Sequence, residues 1–339
     1  MRSKFILLLI IGSISVFLLA FTFLRPTPIY LEIPKGWPKP NYDFSKNSLT
    51  EEGFQLGRQL FYDPILSKDS TISCASCHLQ ATGFTHVDHS LSHGIDGKIG
   101  TRNSMTMMNL AWSKTFMWDG GVNHLDVQAL NPITSSVEMN ETLANVVLKL
   151  QKSEQYKSLF IAAFGDNSIT GQRILKALSQ FELMLVSSNS KYDKVMRKEA
   201  LFTNQEQNGY QLFKTNCASC HSEPLFTNGE YENNGIPIDT TLNDIGRQRI
   251  TEKSEDYLKF KIPTLRNIQF TNPYMHDGRF NKLTEVIKHY NSIGNNKKVS
   301  KQLKKSMNLT DNERVDLVAF LLTLTDNEFL FDKRFVYPR

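Results

Sequence analysis

Two short runs hold every thiol in this chain. "TISCASCHLQ" places Cys74, Cys77 and His78 together, and "TNCASCHSEP" does the same with Cys217, Cys220 and His221; the chain has four cysteines in all. Structural disulfides suit an exported protein, and zinc accepts Cys and His at short spacing. A Cys-x-x-Cys pair alone would leave both readings open. The histidine directly behind each pair points elsewhere: two thioethers fix the edge of a haem while the next residue's imidazole reaches the iron. The motifs therefore predict two covalent c-type haems, on Cys74/Cys77 and Cys217/Cys220, with His78 and His221 as proximal ligands.

The sixth position of each iron decides what a haem can do, since a closed haem passes electrons and an open one binds peroxide or oxygen. In the first half the candidates are His86, His89 and His93, all in the glycine-flanked loop "THVDHSLSHGIDG". In the second half they are Met275, His276, His289, Tyr290 and Met307. Spacing alone does not choose among them, and each could equally be a surface or supporting residue.

The elements that position these motifs repeat. "LTEEGFQLGRQLFYDPILS" reads as a helix capped by Thr50 with Phe54, Leu56, Leu60 and Phe61 on its apolar side. It leads into the first motif, and "FTNQEQNGYQLFKTNCASCH" leads into the second in the same way. Each half also closes on an apolar helix followed by an aromatic, Asp and Lys: "ILKALSQFELMLVSSNSKYDK" and "RVDLVAFLLTLTDNEFLFDK". The motif histidines stand 143 residues apart, one domain length. The reading is all-α: two cytochrome c-like domains, 45–200 and 201–339, each with one haem. Residues 26–44, rich in proline and without period, form a tether or strap.

Ahead of these, "MRSKFILLLIIGSISVFLLAFTFLRP" sets a short basic lead before about twenty apolar residues, 5–24. Residues 1–25 read as an uncleaved anchor with Arg2 and Lys4 kept inside, or alternatively as a cleaved signal peptide. Either way the body is exported to the periplasm, with the inner membrane as its anchor point in the first case. The formal charge of +5 falls to +2 once Arg2, Lys4 and Arg25 are set aside. No run of Lys and Arg interleaved with aromatics suggests nucleic acid.

The runs "SCASCH", "GTRNSMTMMNLAW", "FMWDGG", "NPITSSVEM", the second "NCASCH", "FKIPTLRNIQFTNPYMHDGRF" and "LTEVIKHYN", in this order from about 50 to 330, resemble the bacterial dihaem cytochrome c peroxidase family. That family includes the related enzyme that matures the tryptophylquinone of methylamine dehydrogenase. The resemblance implies that Trp118 lies between the haems, that Glu138 is the acid over the peroxidatic haem, and that Gln128 belongs to the same pocket, with Pro132 in its wall. A buried carboxyl could move a proton from the near peroxide oxygen to the far one; Glu138 could also merely favour the helix start ahead of "MNETLANVVLKL". A calcium ion is implied on the Asn103 side chain and the Thr271 and Pro273 carbonyls, with waters completing its shell.

The haem on His78 would then be peroxidatic, with His93 as the residue that closes it in many oxidised members and leaves once the second haem is reduced. The haem on His221 would take electrons from a small exported cytochrome c or a cupredoxin. Many members carry methionine where this chain has Tyr290 as the candidate axial ligand; the quinone-maturation enzyme has tyrosine. A phenolate stabilises ferric and higher-valent iron and lowers the potential. Three functions follow: a cytochrome c peroxidase reducing H2O2, a maturation enzyme oxidising residues of a protein substrate through a high-valent bis-haem state, or a dihaem electron carrier. The family's frequent dimers extend the expectation to a homodimer, which no stretch of this sequence marks.

Overall fold

The computed structural model describes residues 25–293, 299–304 and 306–338. The helices are α1 (Glu51–Tyr62), α2 (Cys74–Cys77), α3 (Leu130–Thr134), α4 (Leu143–Gln151), α5 (Glu154–Phe164), α6 (Gly171–Leu183), α7 (Lys191–Met196), α8 (Asn204–Asn216), α9 (Gln248–Thr251), α10 (Leu283–Ser292), α11 (Asp311–Leu322) and α12 (Asn327–Leu330). The protein is helix-rich and carries two cytochrome c-like units, but all-α needs a correction. Tyr231–Glu232 (β1) and Phe260–Lys261 (β2) pair as a short antiparallel ribbon, and long irregular segments connect the helices.

The two halves are built on one plan. In each, the helix entering the haem motif crosses the helix that closes the unit: α1 on α6, and α8 on α11. Thr50 caps α1 as the sequence suggests, its hydroxyl accepting from the Gly53 N–H at 3.1 Å. Thr203 with Glu206 and Thr310 with Glu313 form capping boxes on α8 and α11. Glycine decides both crossings. A Cβ on Gly57 would stand 1.9 Å from the Ala177 carbonyl oxygen, and one on Gly209 would stand 1.9 Å from that of Asp316. Mid-helix glycine costs about 1 kcal/mol against alanine; here it lets two backbones touch, and the aromatic cores close around them.

Those cores are separate. The first gathers Phe54, Phe61, Phe84, Phe160 and Phe181; the second gathers Phe213, Phe226, Leu317 and Phe320. The chain end crosses between them, because Phe329, Leu330 and Phe335 belong to the first core. The Tyr62 hydroxyl donates to the Phe335 carbonyl at 2.6 Å. The segment expected as tether or strap is a strap: Trp37 meets Trp112 edge-on at 5.0 Å, and the Asn41 N–H donates to Ala111. The apolar segment 5–24 lies outside the described residues. Among the described residues no helix is long and apolar enough to cross a membrane.

A second repeat escaped the sequence reading. "FMWDGG" and "YMHDGR" are the same turn, closed by the bridges Phe116↔Val122 and Tyr274↔Phe280. Both place methionine at positive φ, Met117 at 69° and Met275 at 78°. Trp118 in the first half thus corresponds to His276 in the second.

Adding a methyl group at Gly57 or Gly209 forces the helix pair apart. Gly57→Ala and Gly209→Ala are each expected to lower stability by about 1–3 kcal/mol, seen as a fall in the denaturant midpoint at unchanged slope.

Candidate active site

A single cavity of about 1390 Å³ runs between the halves and is lined by both cysteine motifs. That exceeds the roughly 300–1,000 Å³ of a single small-molecule site. The four cysteines are unpaired thiols, so the disulfide reading fails. Among the described residues none of them joins a cluster with metal-ligand spacing. Burial pushes the Cys74 and Cys217 thiols up to about 12 and Cys77 to about 11, away from thiolate chemistry.

The histidines fit an iron. His78 Nδ1 lies 2.7 Å from the Phe84 carbonyl oxygen, and His221 Nδ1 lies 3.1 Å from those of Phe226 and Pro263. A carbonyl only accepts, so Nδ1 carries the proton in both rings and Nε2 is left as a ligand. Burial lowers both pKa values, which favours the neutral ligand form. Phe84 and Phe226 are fully buried at φ 60° and 55°. A bulky residue there is strained, by about 1–3 kcal/mol, and the strain turns its carbonyl toward the motif histidine. No sequence pattern announced these two phenylalanines.

Around the first motif, Gln128, Pro132, Glu138 and His93 all line the cavity. Burial raises the Glu138 pKa, and nothing opposes it. The helix-start role does not survive: α4 begins at Leu143 behind its own cap, Thr142, and Glu138 lies four residues before that cap. The Glu138 backbone instead holds the neighbouring loop. Its carbonyl accepts from Ile95 at 2.8 Å, and a Cβ on Gly94 would stand 2.4 Å from its Cα. His93, one residue before that glycine, packs its ring 3.9 Å from His89. His86 and His89 are not part of the cavity wall. Sequence analysis also missed Glu182, a cavity-lining carboxyl that burial pushes up to about 8.

Around the second motif, Met275, His276, Tyr290 and Met307 line the cavity, and His289 does not. His289 is engaged elsewhere, its Nε2 2.9 Å from the Asn234 carbonyl oxygen. Burial raises the Tyr290 hydroxyl to about 12, with a smaller upward push from Cys217 and Cys220. The Asn234 side chain hydrogen-bonds that hydroxyl and also reaches Met275 Sδ at 3.5 Å. Asn234 is therefore common to both candidate ligands, and its role was not legible in the sequence.

Trp118 lines the same cavity as both motifs. Its indole N–H donates to the Asn103 carbonyl at 2.9 Å, and its own carbonyl accepts from Lys261 of β2 at 2.7 Å. The next residue, Asp119, accepts from Arg102 Nη1 at 2.6 Å, and the same guanidinium grips Asp244 at 2.6 and 3.0 Å. Asn103, Thr271 and Pro273 also line the cavity, and the Asn103 N–H donates to the His276 carbonyl at 2.7 Å.

Comparison with known proteins follows this geometry. The profile described as "Di-haem cytochrome c peroxidase" matches residues 51–201, and "Cytochrome c" matches 206–325. The methylamine utilization protein MauG of Methylophilus methylotrophus is 35% identical over 326 residues, covering 94% of each chain. The cytochrome c551 peroxidase of Nitrosomonas europaea is 35% identical over 279 residues, 81% of this chain and 80% of that one. Among solved structures, a MauG-like protein associated with microbial copper homeostasis superposes with a TM-score of 0.83 at 32% identity, over 91% of this chain and 99% of that one. This chain belongs to the di-haem cytochrome c peroxidase family, and its two motifs carry two c-type haems.

Breaking the Arg102 bridge leaves buried carboxylates unpaired, so Arg102→Ala should cost about 3–5 kcal/mol. Burial alone would raise the Asp244 pKa, but hydrogen bonds and charge from Arg102 outweigh it and hold it below the usual range. Its contribution is complete above about pH 4 and is lost as pH falls through the folded pKa. Stability measured from about pH 6 to 2 should show that acid-side loss in the parent and a smaller one in Arg102→Ala.

Proposed function

We propose that this protein is a periplasmic dihaem peroxidase that reduces hydrogen peroxide to water with electrons from a small exported cytochrome c or a cupredoxin. The balance is H2O2 + 2 e⁻ + 2 H⁺ → 2 H2O, so two one-electron donors serve each turnover. The observation that carries this reading is the Glu138 carboxyl, half-buried and with a raised pKa, on the wall of the cavity that holds the first motif. An electron carrier has no use for such a group. The haems, when bound, supply the redox chemistry and the site where peroxide binds.

The chain's own residues do the rest. His78 and His221 present Nε2, each fixed by the backbone carbonyl at Nδ1. Glu138 takes a proton from the near peroxide oxygen and returns it to the far one, a task suited to a carboxyl with a raised pKa. Gln128 orients the substrate beside it, and Pro132 shapes the wall. Trp118, fixed at its N–H and at its carbonyl, is the route between the halves. His93 closes the first pocket when its loop swings in. Asn103, Thr271 and Pro273 offer neutral oxygens, the donor type a calcium ion accepts once waters complete its shell.

A second reading is favoured by Tyr290. Its phenol, near the second motif, would ligate that iron where a methionine would be expected of an electron-entry haem, and a phenolate lowers the potential. That feature, with the likeness to MauG proteins, supports oxidation of a protein substrate.

Glu138→Gln is expected to lower the rate of reaction with peroxide by about 10²–10⁴ while both haems stay attached; an unchanged stopped-flow rate would remove the acid–base role. Tyr290→Phe is expected to change the ferric spectrum of the second haem and raise its potential. If spectrum and potential do not move, Tyr290 is not a ligand and the peroxidase reading stands alone.

A further inference from the structure

Beside the first haem pocket, but outside its wall, the loop after the first motif carries an arrangement that peroxide chemistry does not use. We propose that His86, Asp88 and His89 bind one divalent first-row transition-metal ion, of the zinc or copper type. One ligand atom from each of the three lies within 4.8 Å of the others. The two histidine rings lie against each other, 4.1 Å apart with 12° between their planes.

Burial argues that these nitrogens have a task. His86 is 1% exposed, yet neither of its ring nitrogens has a hydrogen-bond partner among the described residues. The Nε2 of His89 is also buried without one. Leaving buried polar atoms unpaired costs on the order of 1–3 kcal/mol each, and such groups call for an ion or a water. Asp88 is already beside His89, its carboxylate 2.6 Å from Nδ1 of that ring.

The donor chemistry narrows the ion. Imidazole nitrogens suit zinc, copper and nickel, whereas calcium and magnesium take oxygen shells. Two imidazoles and a carboxylate oxygen give three protein donors, and a water would complete a tetrahedral shell. The site is distinct from the haem ligands, because neither His86 nor His89 lines the haem cavity. A bound ion would tie down one end of the loop that carries His93, whose ring packs 3.9 Å from His89.

The test is equilibrium dialysis of the haem-loaded protein against Zn(II), counting zinc and iron by atomic emission. The proposal expects one zinc for every two irons. His86→Ala and His89→Ala should each weaken zinc binding at least about tenfold, while His124→Ala, at a separate half-exposed imidazole, should leave it unchanged. Asp88→Asn, at the exposed edge, provides the same test if a histidine variant fails to load haem, since the iron content reports folding independently. No zinc retained by the parent protein would overturn the proposal. Equal affinity in the parent, His86→Ala and Asp88→Asn would overturn it too, because the zinc would then sit elsewhere.

Discussion

Arg102 ties the two halves of this protein together. Arg102 leaves the first domain to grip Asp244 of the second with two donors, and its third donor holds Asp119, the residue after Trp118. Asp244 is only 3% exposed, so the pair works where water screens it little. The planar fork matters as much as the charge, because a lysine could not hold both carboxylates in fixed directions. This bridge and the Lys261 N–H bond to the Trp118 carbonyl both cross from one half to the other beside the cavity. The indole of Trp118 is placed by the same contacts.

Each half then solves the same problem with the same parts. A helix enters the haem motif, a glycine lets it touch the closing helix, and a strained phenylalanine turns its carbonyl to the proximal histidine. The second half repeats the first even in its arginine: Arg266, fully buried, grips Asp193 at 2.8 and 2.9 Å as Arg102 grips Asp244. The two halves differ where chemistry differs. The first presents Glu138 and a histidine-rich loop, and the second presents Tyr290 and Met275 around a shared asparagine.

That division also separates the tasks of the polar groups. Carboxylates that hold the frame, such as Asp193 and Asp244, are paired with arginine and kept below the ordinary range despite their burial. Those facing the cavity, half-buried Glu138 and fully buried Glu182, have no cationic partner among the described residues and are pushed upward. A group meant to exchange protons cannot also be an anchor, since its two protonation states must remain close in energy.

The sequence by itself determined the cofactors, because Cys-x-x-Cys-His spends two thiols and an imidazole on adjacent positions and needs no tertiary structure to be read. It also determined the helix entering each motif, through the Thr50 cap and the apolar spacing of Phe54, Leu56, Leu60 and Phe61. Local sequence carries such features because caps and periodicity act within a few residues. Tertiary structure alone decided what converges from afar. It brought Trp118, Glu138 and Tyr290 to one cavity, put Phe335 into the first core, and gave Arg102 and Asn234 their roles. It also buried both ring nitrogens of His86 without a partner among the described residues. Those outcomes depend on which surfaces meet across long stretches of chain, and no local pattern encodes such a meeting.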